Sequence, residues 1–458
     1  MKPNPVVITG TGMVTSLGRT RAETWRALLA GRCGVGPIRG FDAAGFQCRV
    51  AAEAVNFSRS EAAHQSRQKT ILDLPSYMLL QSARDAYQEA RLERGSFAGE
   101  DIGFFMGMGM VDHDLGRVMP AVAHSVDGTG HFDSSAFYSG AYQEIHPLFI
   151  LSLLNNVSFC QAAIEIDIRG ENAVFSPHAD AGAQAIAEGV RTLAEGKASV
   201  VLAGGVSEKI TPQSLARAHL QGLLRLEDSL DAGGSRPFAA DSDRTALGEG
   251  CGVLCLEPRA SADQRGAPYR VAITGCGATF GIEANGAASA DAIAGAMAKA
   301  LDEAELGAAD IDVVIAHGEG SRAGDQNEVE AVQRVFASVK KRFWLFCSKG
   351  ALGHLLAGAP AVDAILAESI LREQLLPPTL GSEPADSHAG FLLWSPTGKP
   401  VAPSTMPVGR NPEQEPPAKA GTRGEGSSRA QKVAARKILL NCRSSEGQCG
   451  SLVFESVS

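Results

Sequence analysis

Two histidines, a lysine and a glutamate sit among glycines in the second half of this 458-residue chain. His317 follows the apolar run Val313–Ala316, in the stretch Ala316-His317-Gly318-Glu319-Gly320-Ser321-Arg322-Ala323-Gly324-Asp325. An imidazole at the end of a strand, in a glycine-rich turn, can donate a hydrogen bond to a carbonyl oxygen. Glu319 puts a carboxylate two residues away, where it could pair with His317 or with Lys349. Lys349 and His354 share a second stretch, Ser348-Lys349-Gly350-Ala351-Leu352-Gly353-His354. A third stretch, Phe175-Ser176-Pro177-His178-Ala179-Asp180-Ala181, leads into an apolar-striped helix. Backbone N–H groups at a helix start stabilise anions. Ala179 supplies a methyl group there, which cannot form a covalent intermediate. His178, Asp180 and Ser176 point in other directions around the turn, so none inherits its geometry.

The elements that must position these residues read as α/β. Val200–Gly205 is a continuous apolar strand of the kind covered on both faces, and Val313–Ala316 is another. Residues 181–195 read as a helix, with Ala185, Ile186, Val190 and Leu193 on one stripe. An internal echo links the two ends of the chain: Val7–Gly12 (V-I-T-G-T-G) reappears as Ala272–Gly277 (A-I-T-G-C-G). Each reads as a strand ending in a glycine turn, followed by an alanine-rich helical stretch over 21–30 and 288–305. A matched strand, turn and helix in both halves points to duplication. The polar stretch 264–268 marks the boundary, giving halves 1–265 and 266–458. Residues 398–435 are rich in Pro, Gly, Ser, Lys, Arg and Glu and have no apolar periodicity. They read as a disordered surface insertion, with order resuming at Lys437–Asn441 and a last strand at Ser451–Phe454.

Composition narrows the function classes. Hydrophobic residues make up 44% and charged residues 20%, an ordinary globular balance. A net charge of −9 argues against a nucleic-acid binder. No stretch approaches the ~20 apolar residues of a membrane span. The nine cysteines show no CxxC pair and no zinc spacing, so neither a metal site nor any cofactor is expected. Cys251 and Cys255 read as buried strand thiols. An odd cysteine count and the lack of a secretory apolar run at the start point to a cytoplasmic location.

Together these motifs resemble the β-ketoacyl synthases, the condensing enzymes of fatty-acid and polyketide assembly. That family has a nucleophilic cysteine in S-x-A-C-A-x-G, then H-G-T-G-T-x-x-G-D, then K-S-N-x-G-H. This chain has Ala179 in the cysteine's place, with His317, Lys349 and His354 at matching positions; Glu328 matches an acidic residue of the lysine's network. Arg236-Pro237-Phe238 and Gly248-Glu249-Gly250 are similar to R-P-F-D and G-E-G-A-G. The family's closing N-S-F-G-F-G-G has become Asn441-Cys442-Arg443-Ser444-Ser445-Glu446-Gly447. Arg443 and Glu446 read as poor occupants of an acyl cleft, because an unpaired buried charge is costly.

The resemblance implies an α/β, thiolase-like, five-layered αβαβα fold made of two duplicated halves. It implies a cysteine-lacking branch like the chain-length factor, the ketosynthase β subunit of type II polyketide synthases. Such a subunit pairs as a heterodimer with an active ketosynthase α subunit. It meets substrate on the phosphopantetheine arm of an acyl carrier protein and helps set chain length. Met108, Met110 and Val111 are then the expected tunnel residues. The alternative is a decarboxylase of malonyl-carrier protein that uses the retained His317 and His354 to make an acetyl starter.

Overall fold

The structure, a computed structural model, describes residues 4–54, 73–111, 115–175, 178–224, 235–239, 245–284, 286–382, 391–394, 400–401 and 430–457. Its first half contributes β1 (Val6–Thr15), β2 (Ile102–Met108), β3 (Asn172–Phe175), β4 (Val200–Val206) and β5 (Gly250–Pro258). The second contributes β6 (Val271–Phe280), β7 (Val313–Ile315), β8 (Phe343–Phe346), β9 (Lys437–Arg443) and β10 (Gln448–Ser456). The spatial orders are β1-β5-β4-β2-β3 and β6-β10-β9-β7-β8. In both halves the first strand pairs antiparallel with the last, the last antiparallel with the fourth, and the remaining pairs are parallel. The same order with the same directions in two halves is the mark of duplication. The two sheets meet where β1 touches β6, at Val6↔Ile273 and Val7↔Ala272.

The main helices are α1 (Arg21–Leu29), α2 (Leu74–Glu89), α3 (Ala181–Ala194), α4 (Ala290–Glu303), α5 (Arg322–Val335) and α6 (Ala359–Glu373). Helix α2 covers the outer face of the first sheet and α4 that of the second, with α5 packed beside α4. Between the sheets α3 and α6 pack on each other, and every residue of Ala359–Leu371 is buried. This gives the five layers of a thiolase-like fold. The strands covered on both faces are apolar throughout, as in β4, where all seven residues are buried. Cys251 and Cys255 are both buried on β5.

The echoed glycines do a different job from the one their sequence suggests. They lie within ten-residue strands, not at turns. A Cβ on Gly12 would stand 1.9 Å from the Ser82 carbonyl oxygen of α2, and one on Gly277 2.0 Å from that of Ala296 in α4. Only glycine lets the outer helix lie this close to the strand. The counterpart of α4 is therefore α2 and not α1, although α1 forms where expected.

Two other expectations shift. Residues 264–268 include the end of a short helix, Arg259–Arg265, closed by Gly266 in the left-handed region, where glycine carries no steric penalty. Most of the 398–435 stretch lies outside the described residues. Within it, Gln431–Lys432 pairs with Leu375–Leu376, and Ala435 is buried in the central core, so order resumes earlier than Lys437.

Candidate functional site: a two-histidine pocket without a nucleophile

Ala179 lies buried in the turn between β3 and α3. The helix starts two residues on, at Ala181, with Asp180 at its cap. Ser176 and Pro177 lie outside the described residues. No neighbouring thiol replaces the missing one among the described cysteines. Cys347 contacts the Gly318 carbonyl oxygen at 3.2 Å, and burial pushes its thiol up to about 12. Burial likewise holds the Cys442 thiol well above its ordinary range. Neither supplies a thiolate at neutral pH.

His317 comes off the end of β7 and is 1% exposed. Its backbone N–H and that of Gly318 donate to the two Glu328 carboxylate oxygens, at 2.7 and 2.8 Å. The Lys349 ammonium, also buried, donates to the His317 carbonyl oxygen and stands 4.0 Å from Asp363. Glu328 and Lys349 thus fix the loop that carries the imidazole. The ring's Nδ1 accepts from the Arg443 N–H at 3.4 Å. His354 is equally buried, and its Nδ1 accepts from the Leu356 N–H at 3.2 Å. The two rings stand edge to face with centroids 5.1 Å apart. Burial, reinforced by Lys349, lowers both imidazoles: His317 well below its usual value and His354 to about 3. Both are neutral at pH 7, and because each Nδ1 accepts, each carries its hydrogen on Nε2.

The charges that looked out of place pair with one another. Arg443 is fully buried, with Nη2 3.1 Å from Glu319 Oε1 and 3.8 Å from Asp325 Oδ1. These are ion contacts by distance; Nε and Nη2 make no aligned hydrogen bond. The expectation of an unpaired Arg443 is therefore corrected: its counter-ions come from the His317 loop and the start of α5. Glu319 also accepts from the Ser321 hydroxyl, and its Oε2 lies 3.4 Å from His317 Nε2. Burial opposes its charge, but Arg443 and His317 outweigh burial and hold the carboxyl well below its usual range. Asp325 goes the other way, raised by burial to about 7 against the pull of Arg443. It accepts from the Phe238 N–H at 2.9 Å, which gives the Arg-Pro-Phe motif a scaffolding role. Glu249 does the same elsewhere, accepting from Ala54 and Ile210 N–H groups, each at 2.8 Å. Glu446 pairs across the site with His178 at 3.0 Å.

Beside this network lies a cavity of about 40 Å³, bounded by Met110, His178, Ala179, Glu208, Glu319, His354 and Glu446, among others. That is room for a few waters, not for an acyl chain. Of the expected tunnel residues, Met110 reaches this cavity, Val111 is half-buried beyond it, and Met108 packs inside the first-half core.

His317, Glu319 and His354 also make a trio whose potential ligand atoms lie within 4.8 Å of one another, a cluster that sequence spacing did not reveal. Metal-bound histidines donate their second ring N–H to an acceptor. Here both second nitrogens accept instead, which turns hydrogens, not lone pairs, into the pocket. The two imidazoles thus suit a hydrogen-bond acceptor, such as a carbonyl oxygen or the Glu319 carboxylate itself, better than a metal ion.

The layers and the paired histidines define a condensing-enzyme class of protein, and comparison with known proteins agrees. Residues 3–262 match the family model of the β-ketoacyl synthase N-terminal domain, and residues 271–383 that of the C-terminal domain. The chain belongs to the β-ketoacyl synthase family. It is 28% identical over 403 residues to 3-oxoacyl-[acyl-carrier-protein] synthase 2 of Vibrio cholerae, covering 86% of this chain and 92% of that one. Its fold is similar to the ishigamide ketosynthase/chain length factor, with a TM-score of 0.79, 22% identity and full coverage of both chains. It is also similar to a type II polyketide ketosynthase in complex with its acyl-carrier protein, with a TM-score of 0.77, 20% identity and coverage of 99% and 100%. Among the described residues, no helix is long and apolar enough to cross a membrane.

Proposed function

We propose that this chain is a non-condensing ketosynthase subunit of the chain-length-factor kind, which pairs with an active ketosynthase and shapes the space for a growing acyl chain. The observation that carries the proposal is Ala179. The turn, the helix start and both imidazoles of a condensing site are retained around it, while the one atom able to hold an acyl group is absent. In the proposed complex the α partner forms the thioester and makes the carbon–carbon bond.

An open sheet edge supports a partner. Strand β3 ends the sheet order, and only β2 pairs with it among the described residues. Such edges template pairing with another chain. The segment that joins β2 to β3 exposes Met119, Phe132, Tyr138, Tyr142, Leu154 and Ile164, more large apolar side chains than a solvated loop needs. Met110, at the cavity wall, is the tunnel residue this reading favours. Substrate would arrive on an acyl carrier protein, as in the related complex.

Co-expression with candidate active ketosynthases, followed by mass determination of the purified complex, tests the proposal. A stable one-to-one heterodimer is expected. A soluble homodimer that releases carbon dioxide from malonyl-carrier protein, and loses this activity on His354→Ala, would establish the decarboxylase instead. The two neutral imidazoles favour that second reading; the filled, narrow cavity opposes it.

A further inference from the structure

Two of this chain's departures from the family pattern, Glu319 and Arg443, lie 124 positions apart and meet in the structure. Glu319 stands where the family has a small hydroxyl and Arg443 where it has an aromatic ring. One brings a buried negative charge and the other a buried positive charge, with Nη2 and Oε1 3.1 Å apart. Alone, either would cost several kcal/mol to bury. Together they balance each other's charge, with Asp325 as a second counter-ion to Arg443 and Ser321 donating to Glu319.

The placement of the second Glu319 oxygen gives the pair a use. Oε1 is taken by Ser321 and Arg443, which turns Oε2 toward His317 Nε2 at 3.4 Å. That nitrogen is buried and makes no aligned hydrogen bond, so Oε2 faces it by distance alone. The cavity that remains beside Glu319 and His354 holds only a few waters. A carboxylate of the chain therefore faces the imidazole donor that an incoming thioester carbonyl or malonyl carboxylate would need.

We propose that Glu319, anchored by Arg443, is a built-in occupant of the histidine pocket that excludes malonyl thioesters from it. This deepens the non-condensing reading: the chain lacks a nucleophile and also blocks the decarboxylation its histidines would otherwise support. An incoming malonyl group meets a fixed like charge in a low-dielectric site, which costs several kcal/mol.

The test uses malonyl-pantetheine as probe, on the purified chain and on its complex with any partner. It compares wild type with Glu319→Thr and with the double variant Glu319→Thr/Arg443→Phe, which removes both charges and leaves no buried arginine unpaired. Binding is read by calorimetry and turnover by mass spectrometry. In turnover the bond between the carboxylate carbon and the methylene breaks and carbon dioxide leaves. The electron pair passes to the thioester oxygen, and a solvent proton on the methylene carbon gives acetyl-pantetheine.

The double variant is expected to bind the probe at least about tenfold more tightly than wild type. Adding His317→Ala is expected to cancel the gain. Three results would overturn the proposal. One is wild-type binding equal to that of a double variant whose thermal midpoint shows it folded. Another is a gain that survives His317→Ala. The third is a stoichiometric divalent metal retained by wild type through dialysis. None of these bears on partner choice, so heterodimer formation stands or falls separately.

Discussion

The two halves share one plan and bring different chemistry to the pocket. At the end of the second strand, the first half places Met108 to Met110 and the second half places His317. Between the third strand and the central helix, the first half has the short turn bearing Ala179, while the second has the longer Lys349–Gly358 connection bearing Lys349 and His354. Most of the charged groups buried around the imidazoles come from the second half, Glu319, Asp325, Glu328, Lys349, Asp363 and Arg443, while the first half adds Glu208 at the cavity wall and Asp180 beside Ala179. The first half presents the Ala179 methyl group and the Met110 thioether, with His178, Glu208 and Arg217 further along the cavity wall. Duplication supplies equivalent positions, and this chain draws the charges that contact the His317 loop from one copy only. The packing of strands against outer helices has stayed symmetric, whereas the loops above the strands have not.

The largest effect expected from breaking this asymmetry is at Arg443. Arg443→Ala leaves Glu319 buried without its main counter-ion, and a loss of about 3–5 kcal/mol in unfolding free energy is expected by chemical denaturation. Glu319→Thr/Arg443→Phe should recover much of that loss; if the double variant is no more stable than Arg443→Ala alone, the two residues are not coupled.

The symmetric part can be broken next. Gly12→Ala and Gly277→Ala each drive a Cβ into a helix carbonyl oxygen at about 2 Å, and each should cost at least about 1–3 kcal/mol. Similar costs in the two variants would show that the strand–helix packing is still equivalent. A loss confined to one half would end the equivalence.

Acid should act through the second half. Both imidazoles have folded values below the ordinary one, His354 at about 3. The unfolded chain therefore takes up protons that the folded chain refuses. Stability is fully present above about pH 6.5 and falls as pH drops toward 3, by about 1.4 kcal/mol per pH unit for each histidine. Asp325, raised to about 7, works in the opposite sense: its contribution is complete below about pH 4 and is lost as pH rises to 7. Denaturation measured from pH 8 to 4 should therefore flatten in His354→Asn.

The smallest effect sharpens the contrast. Ala179→Cys restores the thiol in the first half and should change stability by less than about 1 kcal/mol. The new cysteine should react with iodoacetamide, yet mass spectrometry should find no condensation product, since Glu319 still faces the pocket. Condensation by this single variant would show that the second half had lost nothing.

Much of the fold could be read from the chain. The apolar run at Val200–Gly205, the helix at 181–195 and the strand leading to His317 all form with small shifts, because burial on both faces and helical periodicity are local signals. The order of Ala179, His317, Lys349 and His354 was legible because each sits in a short local motif. The Glu319–Arg443 contact was not, because nothing local marks a pairing across 124 residues, and Arg443 alone reads as a poor occupant of an acyl cleft. The echoed glycines were misread as turns, since a glycine required by an approaching helix and one required by a turn look identical in sequence. Asp325 was in view as the last residue of its motif, but its role needs the Phe238 backbone, which only the fold brings near.

Strand β10 lies in the interior of its sheet, between β6 and β9, although it spans residues 448–456. During synthesis, the second half therefore waits with β6 and β9 facing an empty slot until residue 456 has been made. The first half can close its sheet once β5 is complete at Pro258, but α6, which covers that sheet from inside, is supplied some hundred residues later. A ribosome that stops short of β10 would leave two strand edges bare in the middle of a hydrophobic sheet. Such a product should be held by chaperones or degraded, so termination before Gln448 should yield no usable subunit.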